Sequence, residues 1–383
     1  MIYEGNCRLG DLFKSRREKG RDGLPLLSVT LNDGLVDRES LDRKQDTSLA
    51  PEEHLLVKPG DIAYNMMRMW QGAFGLAIEE GMVSPAYVVL KAEGRVDPEF
   101  ASYLLKTPRM LYLLWAYSYG LTSDRLRLYY PDFAKIPATV PTIEKQRQVA
   151  RVMRVWDMAA VTAGRIAQGA RSKKKALLQR LIPRVASHED PPSGWQRVRL
   201  GDIARLNPPR PGCPKDGRVS FVPMEAVSED ARLLKHYERN YEEVKTGYSG
   251  FVDGDLLIAK ITPCFENGKG ALLSGLRNGV GFGSTEFHVV RPGPEIHPAL
   301  LAHVVSSYEF RRRGESEMEG SAGQKRVTAD FVRSFRFVCP SSIEAQAKLA
   351  TMLDSIDNLA AGYGALCERL QAEKRVLSLR MFE

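Results

Sequence analysis

The chain has 383 residues, of which 43% are hydrophobic and 27% are charged, and it carries a net charge of +8. These values are ordinary for a soluble globular protein of two or three domains, and the positive excess favours a polyanionic partner. The five cysteines and six histidines lack metal-ligand spacing, which excludes the common zinc motifs and indicates reduced thiols. Residues 1–4 do not begin a signal peptide, and the longest apolar run, residues 110–119, is too short to cross a bilayer. We therefore expect a cytoplasmic protein without a membrane partner.

The first segment, residues 1–141, is predicted to be a mixed α/β unit. Short apolar runs at residues 61–64 and 86–90 alternate with glycine and turn residues, as strands do. A helical pattern follows at residues 98–105.

A long helix is predicted over residues 142–182. Apolar or small side chains recur there at steps of three and four residues, which is the seam of a coiled coil. The predicted seam consists of Val149, Val152, Trp156, Ala159, Ala163, Ile166 and Ala170.

The same organisation then follows a second time. Residues 183–194 are predicted to be a linker because they contain a Pro-Pro-Ser-Gly sequence. Residues 195–340 are predicted to form a second α/β unit, with a helix at 298–310, and residues 341–383 to form a second long helix. The seam of this helix consists of Leu349, Met352, Ile356, Leu359, Tyr363 and Leu366.

The chain is thus predicted to be a tandem duplication with a repeat of about 200 residues. The Leu-Gly-Asp motif at residues 9–11 recurs at 200–202, and Gly-Asp at 60–61 recurs at 254–255. Two seams can bury each other, and some 35 helical residues make a rod of roughly 50 Å that fixes a distance between the units. A helical hairpin that only adds stability is the alternative. The predicted fold class is α+β, with two mixed α/β units joined by two long coiled-coil helices.

Catalytic motifs are weak in this sequence. Asn207-Pro208-Pro209-Arg210 is similar to the target-base loop of amino-methyltransferases, but Arg210 stands in place of the aromatic residue and no glycine-rich cofactor turn precedes the loop. Glu243 and Lys245 match half of a metal-dependent nuclease motif, and the sequence contains no P-loop. A single-chain methyltransferase or nuclease that uses Asn207 or Glu243 is one alternative function, and a non-DNA interaction scaffold is another.

Several segments carry side chains of the kinds that recognise DNA. Asparagine and glutamine pair with adenine, arginine pairs with guanine, and basic residues in glycine-flanked loops suit phosphate. The candidates in the first unit are Tyr64, Asn65, Arg68, Gln71, Ser84, Arg125 and Arg127, the last two in the loop 123–127. The candidates in the second unit are Arg210, Lys260, Thr262, Asn267, Lys269, Ser284, Thr285, Gln324, Lys325 and Arg326, the last three in the loop 323–326. For each residue the alternative is an ordinary core or surface role.

Together these features resemble the specificity (S) subunit of type I restriction–modification systems. The resemblance is carried by the repeated Leu-Gly-Asp and Gly-Asp motifs, by Ile-Thr-Pro-Cys-Phe-Glu-Asn-Gly-Lys at 261–269 and by Gly-Ser-Thr-Glu-Phe at 283–287. Pro141 and Pro340 before the long helices, and Glu-x-Gln at 144–146 and 344–346, complete the pattern.

The resemblance implies a DNA-recognition subunit without catalysis of its own. Two target-recognition domains would each recognise one half of a bipartite, asymmetric sequence in double-stranded DNA, and the long helices would pack antiparallel to hold the domains apart. Two methyltransferase (modification) subunits that carry S-adenosylmethionine would bind this chain. Restriction (translocase) subunits that use ATP and Mg would join them, while this chain would hold no cofactor or metal.

Overall fold

The computed structural model describes residues 3–31, 33–41, 49–122, 125–182, 190–321 and 324–382. The chain divides into two compact units. Unit 1 comprises residues 1–163 and 365–383, and unit 2 comprises residues 164–364. The division falls within the two long helices, so each unit contains one globular region and a part of each helix. Residues 183–189 of the predicted linker lie outside the described residues.

Unit 1 is built from short strands and four short helices that precede the first long helix. Its strands are β1 (Tyr3–Arg8), β2 (Phe13–Arg16), β3 (Leu27–Thr30), β4 (Gly34–Asp37), β5 (Leu55–Val57), β6 (Ile62–Asn65), β7 (Phe74–Leu76), β8 (Gly81–Val83), β9 (Tyr87–Ala92) and β10 (Pro137–Pro141). Its helices are α1 (Leu9–Leu12), α2 (Pro98–Leu104), α3 (Pro108–Ala116) and α4 (Tyr130–Phe133), and the long helix α5 (Ile143–Leu181) follows.

Unit 2 repeats this order of elements. Its strands are β11 (Trp195–Arg199), β12 (Ala204–Leu206), β13 (Arg218–Val222), β14 (Tyr237–Asn240), β15 (Ser249–Val252), β16 (Leu256–Ala259), β17 (Gly270–Leu272), β18 (Val280–Gly283), β19 (Phe287–Pro292), β20 (Met318–Glu319), β21 (Arg326–Val327) and β22 (Arg336–Pro340). Its helices are α6 (Leu200–Ile203), α7 (Tyr241–Val244), α8 (Pro298–Val305), α9 (Tyr308–Ser316) and α10 (Ala329–Ser334), and the second long helix is α11 (Ile343–Phe382).

The sheet topology reproduces the duplication. The central sheet of unit 1 has the antiparallel order β2-β9-β6-β7, and that of unit 2 has the order β12-β19-β16-β17. The ladder β1–β10 in unit 1 corresponds to β11–β22 in unit 2. The units differ beside these sheets, since unit 2 has a four-stranded sheet β14-β13-β18-β15 where unit 1 has the ladders β3–β4 and β5–β8.

The two Gly-Asp motifs form the same turn in both units. Gly60 has a φ of +89°, which favours glycine, and the buried Asp61 accepts the N–H of Lys58 at 2.9 Å. Arg16 from β2 donates from Nε to Asp61 at 2.6 Å, so the turn is tied to the central sheet. In unit 2 the equivalent aspartate accepts two hydrogen bonds from Arg291 of β19. The motif is therefore structural.

The Leu-Gly-Asp motifs place α1 and α6 against the chain segment that leads into the last strand of each unit. A Cβ atom on Gly10 would lie 2.8 Å from the Cβ atom of Ala134, and one on Gly201 would lie 3.0 Å from the carbonyl oxygen of Arg333. Leu9 is fully buried and donates its N–H to the carbonyl of Ile136. Only glycine permits this close approach.

A buried glutamine fixes the start of α5 to the globular region of unit 1. The Oε1 atom of Gln146 accepts the N–H of Asp97 at 2.8 Å. Its Nε2 atom donates to the carbonyls of Arg95 at 3.0 Å and Pro141 at 2.8 Å. Gln146 is fully buried, and these three bonds satisfy its amide without water.

The start of α11 is held in the same way in unit 2. The Oε1 atom of Gln346 accepts the N–H of His297 at 2.8 Å, and Nε2 donates to the carbonyls of Glu295 at 3.1 Å and Pro340 at 2.9 Å. The Glu-x-Gln motif thus has the same structural role at both helix starts.

The long helices pack together within each unit. In unit 1, Val149 and Met153 of α5 share a hydrophobic core with Leu377 and Phe382 of α11, and further along α5 Asp157 forms an ion pair with Lys374. The α11 partner of Asp157 is Lys374, which precedes the α11 partners of Val149 and Met153 in the chain. The two helices are therefore antiparallel. In unit 2, Leu178 and Leu353 share a core, and Lys174 pairs with Asp357 at 2.5 Å. The predicted α+β class with two packed long helices is confirmed.

The register of the predicted helix seam needs a correction. Val152, Met352, Leu359 and Leu366 are exposed, at 39%, 43%, 47% and 43%. The buried stripe of α5 runs through Met153, Ala160, Ala163, Ala167 and Ala170, and that of α11 runs through Ala350, Leu353 and Ala360. Val149, Ala163 and Ala170 of the predicted seam are buried. Half-buried are Trp156, Ala159, Ile166, Leu349, Ile356 and Tyr363. The larger side chains flank the stripe because alanine allows the closest approach of two helices.

The predicted helix 298–310 is two helices, α8 and α9, which are separated at residues 306 and 307. The Ser307 hydroxyl accepts the N–H of Phe310 at 3.2 Å and so caps the start of α9. Within the described part of the chain, every helix is too short or too polar to span a membrane.

Candidate nucleic-acid interface

Three segments of unit 2 meet and bring most of its predicted DNA-binding residues together. They are the loop after β16, the turn before β19 and the β20–β21 hairpin. Lys260 donates its N–H to the carbonyl of Glu286 at 2.9 Å and accepts from the N–H of Val327 at 2.8 Å. Thr262 donates its N–H to the carbonyl of Lys325 at 2.9 Å. The segments also carry Ser284, Thr285, Gln324 and Arg326, and we call this surface interface 2.

The loop of residues 261–269 is compact, so its polar side chains start from a fixed backbone. Phe265 is buried beneath the loop and packs on Phe310 of α9 at a ring distance of 6.0 Å. The N–H of Asn267 donates to the carbonyl of Pro263 at 3.0 Å. The side chain of Asn267 is exposed and that of Lys269 is half-buried, so both remain candidates for DNA contact.

One arginine of interface 2 is already engaged by the protein. Arg326 donates from Nε and Nη2 to both carboxylate oxygens of Glu286, each at 2.9 Å. This pair lowers the pKa of Glu286 below its ordinary value. The backbone N–H of Glu286 donates to the hydroxyl of Ser284 at 3.1 Å. Among the described residues Lys260, Lys269 and Lys325 form no ion pair, so they are cations that interface 2 offers to phosphate.

Asn207, the residue of the weak methyltransferase motif, has a structural role. Its Oδ1 atom accepts the N–H of Val289 at 3.0 Å, and its Nδ2 atom lies 3.4 Å from Nδ1 of His288. The other ring nitrogen of His288 faces the carbonyl of Val327 at 3.0 Å, and burial lowers the pKa of this histidine. Both ends of the Asn207 amide are engaged, which argues against a role in binding a target base.

Two other predicted polar residues lie beside α7. Arg210 donates from Nη1 to the carbonyl of Lys245 at 3.1 Å, and its side chain also lies against Gly250 of β15. These contacts of Arg210 involve none of the three segments that form interface 2. Glu243, of the weak nuclease motif, is exposed and accepts a hydrogen bond from Asn240 at 2.6 Å.

Unit 1 forms the equivalent surface, which we call interface 1. Leu128 donates its N–H to the carbonyl of Met66 at 2.9 Å, which joins the loop after β6 to the segment before α4. Tyr119 and Arg127 exchange two backbone hydrogen bonds, at 3.1 and 3.0 Å, in the position of the β20–β21 hairpin. Leu111 of α3 packs against Gly72 at the end of the loop.

The prediction that Tyr64 contacts DNA is wrong. Its side chain has 0% exposure and its ring packs on Phe133 at 5.7 Å, and burial raises the pKa of its hydroxyl. The sequence shows a tyrosine next to Asn65, but β6 is buried on both faces at this point, so Tyr64 belongs to the core.

The other candidates of unit 1 lie at the surface. Asn65 and Ser84 are half-buried, and each accepts a backbone N–H two residues later, from Met67 at 2.9 Å and from Ala86 at 3.3 Å. These bonds are typical of turns and leave fewer groups for DNA. The exposed predicted residues are Arg68, Gln71, Arg125 and Arg127. Residues 123, 124 and 323 of the two predicted basic loops lie outside the described residues.

Aromatic residues beside interface 1 were not among the predicted DNA-binding residues. Tyr112, Trp115 and Tyr119 are exposed at 63%, 48% and 57%. They could have been found from helix periodicity, because Tyr112 and Trp115 are three residues apart and alternate with the buried Met110 and Leu114.

No group of three or more His, Cys, Asp or Glu side chains among the described residues is arranged to hold a metal ion.

Parts of the sequence are similar to curated proteins, and the fold is similar to that of a solved structure. No family model matches the sequence. The type I restriction enzyme EcoAI specificity subunit of Escherichia coli is 41% identical over 179 residues, which cover 45% of this chain and 30% of that subunit. The EcoEI specificity subunit of the same organism is 39% identical over 197 residues, covering 50% of this chain and 32% of that subunit. The chain thus spans about a third of the length of these curated relatives.

The fold is similar over the whole chain to a solved structure. The crystal structure of the type I restriction–modification system S subunit from M. genitalium matches with a TM-score of 0.57 and 14% sequence identity. The match covers 100% of this chain and 96% of that subunit.

Proposed function

Because this chain is a homologue of the specificity subunits of type I restriction enzymes, we propose that it is the DNA-recognition subunit of a type I restriction–modification complex. In this proposal each unit recognises one half of a bipartite, asymmetric sequence in double-stranded DNA. The observation that carries the proposal is the pair of interfaces, since the same three segments form a polar surface in both units.

The two interfaces share a backbone framework but differ in side chains. Arg127 of interface 1 and Arg326 of interface 2 occupy equivalent places in their hairpins. Arg326 is bound by Glu286, whereas Ala86 occupies the place of this glutamate in unit 1. Two surfaces with one framework and different chemistry suit a target whose halves differ in sequence.

We further propose that this chain is not catalytic and binds partner subunits that are. Two methyltransferase subunits with S-adenosylmethionine would modify the DNA, and restriction (translocase) subunits with ATP and Mg would join them. The engaged amide of Asn207 supports this division of roles.

The long helices are proposed to set the length of the unspecified DNA between the two half-sites. Helix α5 has 39 residues and α11 has 40. At about 1.5 Å per residue such a helix is roughly 60 Å long. That length is of the same order as two turns of B-DNA, each about 34 Å.

The test uses the chain alone and together with a type I methyltransferase subunit from the same host. Duplexes are selected from a random pool by binding and are then sequenced, and methylated adenines are mapped in a host that carries both genes. We expect two short specified blocks separated by a constant gap, and no methyl transfer by the chain alone.

Other outcomes would favour the alternatives. Methylation or cleavage of DNA by the purified chain alone would favour a single-chain enzyme. If neither the chain nor its complex selected a sequence, the interaction scaffold would be favoured.

A further inference from the structure

Four aromatic side chains form two ring pairs beside interface 1. The rings of Tyr112 and Trp115 lie 5.8 Å apart on the outer side of α3. The rings of Tyr119 and Tyr129 lie 5.7 Å apart at the adjoining hairpin. We call these four residues the aromatic face.

The core of unit 1 does not require the aromatic face. Helix α3 is anchored from its other side, where Met110 and Leu114 are buried and the hydroxyl of Thr107 accepts the N–H of Met110. Removal of the outer rings would leave these contacts intact. A cluster of large exposed rings is uncommon on a protein surface and indicates a binding function.

The equivalent helix of unit 2 has a charged outer side. Helix α9 begins with the same kind of cap, in which Ser307 accepts the N–H of Phe310. Yet the positions that correspond to the exposed rings of unit 1 are occupied by Arg312, Glu315 and Glu319, all of them exposed. The same fold therefore accepts polar side chains at these three positions, where unit 1 has rings.

The aromatic face is interleaved with arginines. Arg127 donates from Nη1 to the hydroxyl of Tyr129 at 3.5 Å, and the exposed Arg68 and Arg125 lie in the segments that form interface 1. Among the described residues, these three arginines form no ion pair with a carboxylate. Rings beside arginines suit a duplex surface, because a ring can contact a thymine methyl group or wedge against a base step while the arginines bind phosphate.

We propose that the aromatic face extends interface 1 and makes non-ionic contacts with the nucleotides of duplex DNA. Unit 1 then recognises its half-site partly through ring contacts, and unit 2 recognises its half-site through polar and ionic contacts. This inference rests on the proposed function. A protein partner is the other class of occupant, and the uncompensated arginines and the continuity with interface 1 favour DNA.

The two kinds of contact respond differently to salt. Contacts with phosphate release counterions, so the affinity they provide falls as salt rises. Stacking or apolar contact of a ring with a nucleotide releases no counterion. Loss of a ring should therefore weaken binding without changing the salt dependence.

The test measures binding of the full chain, with its methyltransferase, to the duplex recovered by selection. We expect Trp115→Ala and Tyr112→Ala each to weaken binding by about 10-fold, which is the order of the effect of disrupting one base position of a specific duplex site. The slope of log affinity against log salt should stay unchanged. Arg127→Ala should instead reduce this slope by about 1.

Matched controls separate a specific effect from general damage. Arg312→Ala and Glu315→Ala alter the equivalent positions of unit 2, and Ile78→Ala removes an exposed apolar side chain elsewhere in unit 1. We expect Ile78→Ala to bind as the unmutated chain does, and the two unit 2 variants to change affinity by less than the ring variants. Trp115→Tyr should recover most of the lost affinity because it restores a ring.

The inference is overturned if Trp115→Ala and Tyr112→Ala bind the selected duplex with unchanged affinity. It is also overturned if these variants lose the methyltransferase while DNA binding by the chain alone is unaffected, because the face would then bind protein. If the unmutated complex selects no sequence at all, the proposed function itself fails, which is a different result.

Discussion

Gln146 and Gln346 each form three hydrogen bonds with backbone groups from inside the protein. Replacement by leucine keeps the volume but leaves two carbonyls and one N–H buried without partners. We expect Gln146→Leu to lower the free energy of unfolding by about 1–3 kcal/mol. Denaturant unfolding measures this, and Gln148→Leu, at an exposed position of the same helix, is the control. Equal stability of the two variants would contradict the assigned role of Gln146.

His288 makes the stability of unit 2 depend on pH. Its pKa lies below the ordinary value of 6.5, first because of burial and then because of Lys260 and Arg333, while its bond to Val327 and the charge of Glu286 act in the opposite direction. Its Nδ1 atom faces the amide nitrogen of Asn207. Protonation of Nδ1 would therefore place two hydrogen-bond donors, this N–H and the Asn207 amide, against each other.

The sign of the effect follows from proton binding. With a lowered pKa, the folded state binds fewer protons than the unfolded chain, so stability falls as pH drops below about 6.5. We expect the loss of melting temperature between about pH 7.5 and pH 5.5 to be smaller in His288→Gln than in the unmutated chain. An equal loss in both proteins would show that His288 does not titrate in this way.

Residue types alone could not separate DNA contacts from core positions. Tyr64 and Asn65 are neighbours with plausible DNA-binding chemistry, yet one is fully buried and the other lies at a turn. Asn207 likewise occurs in a motif that suggests chemistry, and its partners His288 and Val289 are about 80 residues away in the chain. Long-range partners of this kind are set by tertiary packing, which the local sequence does not contain.

The long helices are joined by two equivalent ion pairs. In unit 1 Lys374 pairs with Asp157, which also accepts the hydroxyl of Tyr103 at 2.8 Å. In unit 2 Lys174 pairs with Asp357 beside the buried His303, whose pKa is lowered by burial and by Lys174. These polar contacts fix which residues of α5 and α11 are opposite each other.

We expect Lys174→Met to lower the melting temperature of unit 2, because the half-buried Asp357 loses its cation. The cost should be about 1–2 kcal/mol, less than for a fully buried pair. The double variant Lys174→Met with Asp357→Asn should recover part of it. Lys173→Met, at the exposed neighbouring position, is the control, and a loss of the same size there would argue against a specific pair.

The helices themselves were predictable, because their apolar periodicity persists over about five or six turns and repeats in the chain. The exact seam was not. The large residues Val152 and Leu359 suggested the contact, whereas the buried stripe passes through Ala160 and Ala360. Periodicity locates the buried face of a helix to within one residue. Which residues of that face lie in the contact depends on how closely the partner helix approaches, and the sequence does not give this distance.

At the scale of the whole molecule, the helices are proposed to determine the gap in the DNA target. Insertion of seven residues into both α5 and α11, after Ala163 and after Gly364, lengthens each helix by about 10 Å. We expect the unspecified gap to grow by about three base pairs, with both half-sites unchanged, since base pairs are about 3.4 Å apart. Mapping of methylated adenines measures the gap.

Insertion into α5 alone provides the control. It displaces Lys174 relative to Asp357 and should destabilise the protein rather than lengthen the gap. An unchanged target after the paired insertion would contradict the proposed role of the helices.

The glutamine bonds at the helix starts have a consequence for how such a molecule can change. Gln146 forms its side-chain hydrogen bonds with main-chain atoms of Arg95, Asp97 and Pro141. Gln346 forms the three equivalent bonds, although two of its partners are Glu295 and His297, and its Nε2 atom also lies 3.9 Å from Sγ of Cys339. The attachment therefore depends mainly on main-chain groups. Mutations can remodel a globular region, and with it the proposed DNA preference, while the contacts that hold the helix start stay intact.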